Sequence, residues 1–332
     1  MYKIKETPED FVVKEITNVK AEEKGSYSYF WLKKRDYTTV KAVEKVAERL
    51  RIPVKNIGFA GSKDKRAVTE QLISIKNCGV KGLELKDIKL KYFGKGINPI
   101  SLGDLKGNEF VITVKDYGKI NDKIRDIPNY FDEQRFSKNN AEVGKAIVKK
   151  DFKNAVELIL ENKGDFEEKL RGYLKQKPTD YIGALRKINK KILKLYIHAY
   201  QSYIFNETVN QYLKIKTINT ENIINKELTI EKDIIKNKIK KKKIPIIGFG
   251  SEIKDEEIKK IVDGILEKEG INLRDFIIPQ IPELSSEGID RELFIDVKDF
   301  KIVEKEKDKI VLSFSLPKGA YATIVVKNLF NL

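Results

Sequence analysis

One cysteine, one histidine and one methionine in 332 residues leave this chain with almost none of the side chains on which metal, thiol and triad chemistry depend. Cys78 has no partner for an intramolecular disulfide, and no Cys/His pair stands at metal-ligand spacing. A structural zinc or iron–sulfur site therefore finds no ligands, and the cysteine use fits a reducing compartment. His198 is alone, flanked by Tyr196 and Tyr200 in an apolar-rich helical stretch, where a packed histidine is expected rather than a catalytic one. Histidine-based triads are excluded, and acid–base work falls to a carboxylate, a lysine or a tyrosine. Phosphate loops are missing too. Gly58, Gly61 and Lys63 lack the Walker spacing, and Gly248 and Gly250 give G-x-G without the third glycine of a dinucleotide fingerprint. No apolar stretch of signal-peptide length follows the first methionine, and no window approaches the ~20 apolar residues of a spanning helix. A soluble, cytoplasmic protein without membrane contact is expected.

What the chain has is positive charge: 66 Lys and Arg against 50 Asp and Glu, a formal +16. That excess is the footprint of a protein that tracks phosphates. The densest cationic run, Lys236, Lys238 and Lys240 to Lys243, reads either as a solvated face or as a phosphate contact.

Strand-like runs rich in β-branched and aromatic residues fill the first part: Phe11 to Ile16, Tyr27 to Leu32, Gln71 to Ile75, Ile88 to Phe93 and Glu109 to Val114. Between them Val40, Val43, Val46, Ala47 and Leu50 recur at helical spacing, and from about Glu142 to Leu213 the period is helical throughout. Alternation returns at Ile310, Leu312, Phe314 and Leu316, in a hairpin with a charged turn. The pattern predicts an α/β (α+β) protein whose sheet domain, residues 1–149 and 283–332, is interrupted by a largely helical insertion, residues 150–282.

Residues 58 to 71, G-F-A-G-S-K-D-K-R-A-V-T-E-Q, place one carboxylate, Asp64, among Lys63, Lys65 and Arg66. By itself this is a surface turn with a locally paired aspartate, or a reactive acid whose charged form the cations favour. Aromatics stand beside polar groups in P-N-Y-F-D-E-Q-R-F at 128 to 136 and in L-P-K-G-A-Y-A-T at 316 to 323, where loops meet elements and binding groups concentrate.

Those blocks, with P-E-D-F-V-V at 8 to 13 and L-G-D-L-K-G-N-E-F at 102 to 110, occur in an order and spacing that resembles the TruD-type tRNA pseudouridine synthases over almost the whole chain. The resemblance implies a mixed, mostly antiparallel sheet with flanking helices and a family-specific domain inserted after the Q-R-F block. It also implies an isomerase that converts uridine to pseudouridine in tRNA, at position 13, with tRNA as partner and neither cofactor nor metal. Asp64 matches the catalytic aspartate, able to attack C1′ or to remove the C2′ proton. Lys5 and Lys63 match lysines near it that are expected to contact the substrate, and which of them reaches Asp64 is open. Phe11, Asn129, Phe131 and Tyr321 match positions that hold the extruded nucleotide, rings for stacking and an amide for the uracil edge. Asp132 and Ser137 stand where glycine is common in the family, which bears on the shape of that loop. Two other classes share the charge and the aromatics: a noncatalytic RNA-binding protein, indifferent to loss of Asp64, and another RNA-modifying enzyme such as a methyltransferase, which would need a methyl donor.

Overall fold

The computed structural model describes residues 2–120, 126–136, 139–161, 165–223, 239 and 241–330. The chain divides into two compact units, Met1–Ile127 with Ile295–Leu332, and Pro128–Phe294.

The first unit opens with β1 (Phe11–Ile16), β2 (Tyr27–Arg35), α1 (Thr39–Leu50), β3 (Ile57–Phe59), β4 (Val68–Lys76), β5 (Gly82–Leu85), β6 (Ile88–Gly96) and β7 (Gly107–Lys115). α1 begins where the Thr38 hydroxyl accepts the Lys41 amide at 3.2 Å and ends at Arg51 in the left-handed region, whose amide closes on the carbonyls of the last turn. The chain leaves through β8 (Asp126–Pro128), which pairs with the returning β11 described below.

The second unit holds α2 (Glu133–Phe136), α3 (Asn140–Val148), α4 (Phe152–Leu160), α5 (Asp165–Gln176), α6 (Tyr181–Leu185) and the long α7 (Lys190–Ile223). β9 (Lys243–Ile246), the helix Glu256–Glu269 and β10 (Ile289–Glu292), antiparallel to β9, complete it. α7 carries Leu193, Ile197, Ile204, Phe205 and Val209 into the core at helical spacing. His198 sits half-buried on it, its imidazole held below the usual range by burial and then by Arg135 and Lys194.

β11 (Phe294–Asp296) leads back to the hairpin β12 (Lys298–Lys305) and β13 (Lys309–Pro317), followed by the C-terminal helix Ala322–Leu329. Among the described residues nine strands form one sheet in the order β12-β13-β7-β1-β4-β2-β6-β5, with β3 alongside β4. Only β1 with β4 is parallel, so the expected mixed, mostly antiparallel sheet is present. Register puts Val13 beside Thr69 and Phe110, and Phe110 beside Phe314. One face of the sheet therefore carries Phe11, Val13 and Glu15 on β1, Thr69, Gln71, Ile73 and Ile75 on β4, and Phe30, Leu32 and Lys34 on β2. α1 packs there through Val43, Val46 and Ala47 against Phe30, Ile73 and Ile75.

The units change over at 127/128 and 294/295, not at the expected 149/150 and 282/283. Backbone proximity moves both borders. α3 lies so close to α7 that a Cβ on Gly144 would stand 2.1 Å from the Tyr196 carbonyl oxygen, and β10 is bound to β9 from Ile289↔Ile246 to Glu292↔Lys243. Asn129 and Phe131 consequently belong to the second unit, whereas Asp64, Lys5, Phe11, Lys63 and Tyr321 belong to the first.

Candidate active site

Asp64 lies on the loop between β3 and β4, and a set of hydrogen bonds, most of them at least partly buried, fixes the course of that loop. The Ala60 carbonyl accepts the Gly103 amide at 2.8 Å, and the Gly61 carbonyl accepts Gln71 Nε2 at 2.9 Å. The Lys63 amide donates to Thr39 Oγ1 at 2.9 Å, and that hydroxyl donates to Gln71 Oε1 at 2.8 Å. Thr39 and Gln71 are wholly buried, so each bond replaces water that cannot reach them. At the outer end Arg66 Nη2 donates to the Glu6 carbonyl at 2.8 Å.

The lysine that reaches Asp64 is Lys5: its Nζ is 3.0 Å from Asp64 Oδ1, with both side chains partly exposed. The same ammonium stands 3.9 Å from the centre of the Phe11 ring. Lys5 has φ +58, a conformation that a lysine adopts only when its surroundings hold it there. The antiparallel bridge of Lys3 to Lys115 supplies part of that hold.

Lys63 turns the other way. Its Nζ is 2.6 Å from Glu15 Oε2, with the two side chains 6% and 0% exposed, and Glu15 Oε1 also accepts the Leu72 amide at 3.3 Å. Phe11 is buried as well, its edge against Phe110 at 6.0 Å between ring centres. Within this unit Phe11 is a floor beneath Lys5, not the open stacking surface expected of it, because its place on β1 faces inward with Val13.

A second cation supports the loop. Lys34, 1% exposed, donates from Nζ to the Tyr37 carbonyl at 2.6 Å and to the Asp64 carbonyl at 2.8 Å. Burial pushes its ammonium down to about 8, the Asp64 charge opposing that fall and the Lys63 charge adding to it.

Tyr321 precedes the C-terminal helix, after a turn in which Gly319 has φ +82. That turn is tied to the Asp64 loop through one intermediary. Lys318 donates from N to the Lys106 carbonyl at 3.0 Å and from Nζ to the Gly103 carbonyl at 3.1 Å, and Gly103 bonds Ala60.

In the second unit Asn129 is 7% exposed, and both ends of its amide are engaged. Nδ2 donates to the Glu292 carbonyl at 3.0 Å, and Oδ1 accepts Arg291 Nη2 at 2.6 Å. Arg291 also lies over the Phe131 ring, 4.2 Å from its centre, and Phe131 meets Phe205 edge to face at 5.4 Å. Asn206 closes the arrangement by accepting the Phe131 amide and donating to its carbonyl, both at 2.9 Å. Asp132 is absent from the residues with positive φ, so its place needs no glycine; Ser137 lies outside the described residues.

Sequence reasoning missed Lys34, Glu15, Thr39, Gln71 and Arg291. Two of them left a signal. Glu15 continues the inward alternation Phe11, Val13 on β1, and Lys34 continues Phe30, Leu32 on β2, and a charge at an inward position of a strand needs a dedicated partner.

The pattern of the tRNA pseudouridine synthase D (TruD) family matches residues 2–171 and 161–329. The chain is 32% identical over 380 residues to the tRNA pseudouridine synthase D of Aquifex aeolicus, covering 99% of this chain and 98% of that one. It is 34% identical over 385 residues to a protein named "Probable tRNA pseudouridine synthase D" in Nanoarchaeum equitans, covering 99% and 98%. A crystal structure from Methanosarcina mazei, described as "Putative tRNA pseudouridine synthase D (TruD)", superposes with a TM-score of 0.71 at 29% identity, over 99% of this chain and 93% of that one. A mixed sheet bearing a hydrogen-bonded loop with one carboxylate among cations, and with it a largely helical unit, thus falls in the class of RNA-modifying isomerases. The chain belongs to the tRNA pseudouridine synthase D family. Among the described residues no helix is long and apolar enough to cross a membrane.

Proposed function

We propose that the Asp64 carboxylate starts the isomerisation of a uridine in tRNA, with position 13 as the target and the cytoplasm as the place of work. The observation that supports this most is the Lys5–Asp64 ion pair at 3.0 Å on a loop whose main chain is bonded at Ala60, Gly61, Lys63 and Asp64 itself. A reacting group gains from such preorganisation because a loosely held one forfeits much of its rate.

The reaction breaks the bond between N1 and C1′, turns the freed uracil and joins C5 to C1′, after which C5 loses its proton and N1 ends protonated. A carboxylate begins this by attack at C1′ or by removing the C2′ proton, and both routes need it aimed at the sugar. Lys5 holds one oxygen of Asp64 and is itself supported by the Phe11 ring. Tyr321, on a turn bonded into the same framework, offers a ring for the extruded base. Asn129 would read a uracil edge through the second hydrogen of Nδ2 and the second lone pair of Oδ1, its bonds to Glu292 and Arg291 orienting the amide, with Phe131 held beneath Arg291.

The direct test maps pseudouridine in tRNA from cells with and without the gene, and in unmodified tRNA incubated with the purified chain and no added cofactor. Pseudouridine at position 13 that depends on the chain in both settings is the expected result. Modified tRNA that is unchanged in both settings would remove the assignment, and a requirement for a methyl donor would favour the methyltransferase class.

A further inference from the structure

Lys34 occupies a position that the sheet offers to an apolar residue. It follows Phe30 and Leu32 on the inward side of β2, and across the strands it faces Thr69 on β4, whose buried hydroxyl has no partner among the described residues. An aliphatic side chain would continue that core without desolvating a charge. The lysine spends its donors on two main-chain carbonyls from different segments, Tyr37 just before α1 and Asp64 on the loop. One of these belongs to the residue that bears the candidate catalytic carboxylate.

We infer that Lys34 is a positioning residue for the reaction: its charged ammonium clamps the Asp64 main chain to the start of α1 and sets the place from which the carboxylate acts. This rests on Asp64 being the reacting group. The charges that face Lys34 are few. From the loop, Asp64 favours its proton and Lys63 disfavours it, Lys63 being turned toward Glu15 of β1. α1 presents the neutral Thr39 and β4 the neutral Thr69, and Lys33 and Arg35 alternate to the other face of β2. With its ammonium near 8, Lys34 loses its charge in mildly alkaline solution. A neutral amine still donates two hydrogens but is a weaker donor, since hydrogen bonds from charged groups are roughly twice as strong.

The experiment measures single-turnover conversion of unmodified tRNA from pH 6.5 to 9.5 for the wild type, Lys34→Gln and Lys34→Met, with tRNA affinity and thermal melting of each. Glutamine keeps amide donors without the charge; methionine removes both. The expected result is a wild-type rate that falls through about pH 8. Both variants should be slower by about ten- to a hundredfold at pH 7, should lack that fall and should bind tRNA within about threefold of wild type. A folded Lys34→Gln with the wild-type rate, or a slow one that keeps the alkaline fall unchanged, overturns the inference. Should both variants fail to fold, a wild-type rate that stays flat across pH 8 overturns it and a fall there supports it. Asp64→Asn is run beside them. If that variant turns over normally, the catalytic reading fails and this one with it; if it is inactive while Lys34→Gln behaves as wild type, only the role of Lys34 is lost.

Discussion

At the scale of single residues, Lys34 and Lys63, whose side chains are both withdrawn from water, have opposite energetics. Lys63 meets Glu15 in a dry ion pair, so removing either partner alone strands a charge. Lys63→Met should destabilise the protein by roughly 3–5 kcal/mol, and adding Glu15→Leu should restore most of that loss, as read from chemical denaturation of the two variants. A Lys63→Met protein with unchanged stability and weakened tRNA binding would instead return Lys63 to the substrate-contact role expected from its sequence block. Lys34 has no such partner, and its folded value of about 8 lies below the ordinary 10.5. Below pH 8 both folded and unfolded chains hold the proton, and burial then costs about 3 kcal/mol. Between 8 and 10.5 the unfolded chain holds more protons, so stability rises with pH there. Relative to Lys34→Met, the wild type should therefore gain up to about 3 kcal/mol between pH 7 and pH 10.5. Urea titrations of both proteins at the two pH values would show it, and a gap independent of pH would mean that Lys34 titrates in the folded protein as it does in the unfolded chain.

At the scale of elements, β1, β2, β4, β6, β7, the β12–β13 hairpin and α1 were legible because their alternation and helical spacing report burial directly, whereas short strands such as β3 and β5 carry too few residues to show a period. β13 buries Ile310, Leu312, Phe314 and Leu316, the residues whose period marks it as half-buried. The unit borders were not legible, since α3 is as helical as a flanking helix of the sheet domain would be, and only its approach to α7 assigns it. Gly144 makes that approach possible. Gly144→Ala should destabilise the protein by about 1–3 kcal/mol despite the better helix propensity of alanine, because the methyl meets the Tyr196 carbonyl. Measured melting above that of the wild type would show that the two helices part without loss. In the site, the sequence blocks pointed to Asp64, Lys5 and Phe11, which the fold brings together. They did not show that Phe11 is covered or that the Asn129 amide is already bonded at both ends, because its partners are Arg291 and Glu292, more than 160 positions away.

For the whole molecule, a formal charge of +16 predicts that tRNA affinity falls steeply with salt as phosphate contacts release counterions. The lysine run reads differently once its neighbours are in view. Lys242 is paired with Asp255 and Lys243 faces Glu292 at 3.7 Å, while Lys236, Lys238 and Lys240 lie outside the described residues. Replacing Lys242 and Lys243 by alanine should leave the slope of log affinity against log salt within about one unit of wild type. A larger flattening would make both lysines phosphate contacts. In the proposed reaction one carboxylate, that of Asp64, begins the chemistry. The most direct test of that role is conversion of uridine to pseudouridine in tRNA by Asp64→Asn, with tRNA binding measured on the same preparation. The variant should show no turnover and keep its affinity within a few-fold of wild type, since one charge is lost from a strongly basic protein. Near-normal conversion by that variant would contradict the role of Asp64.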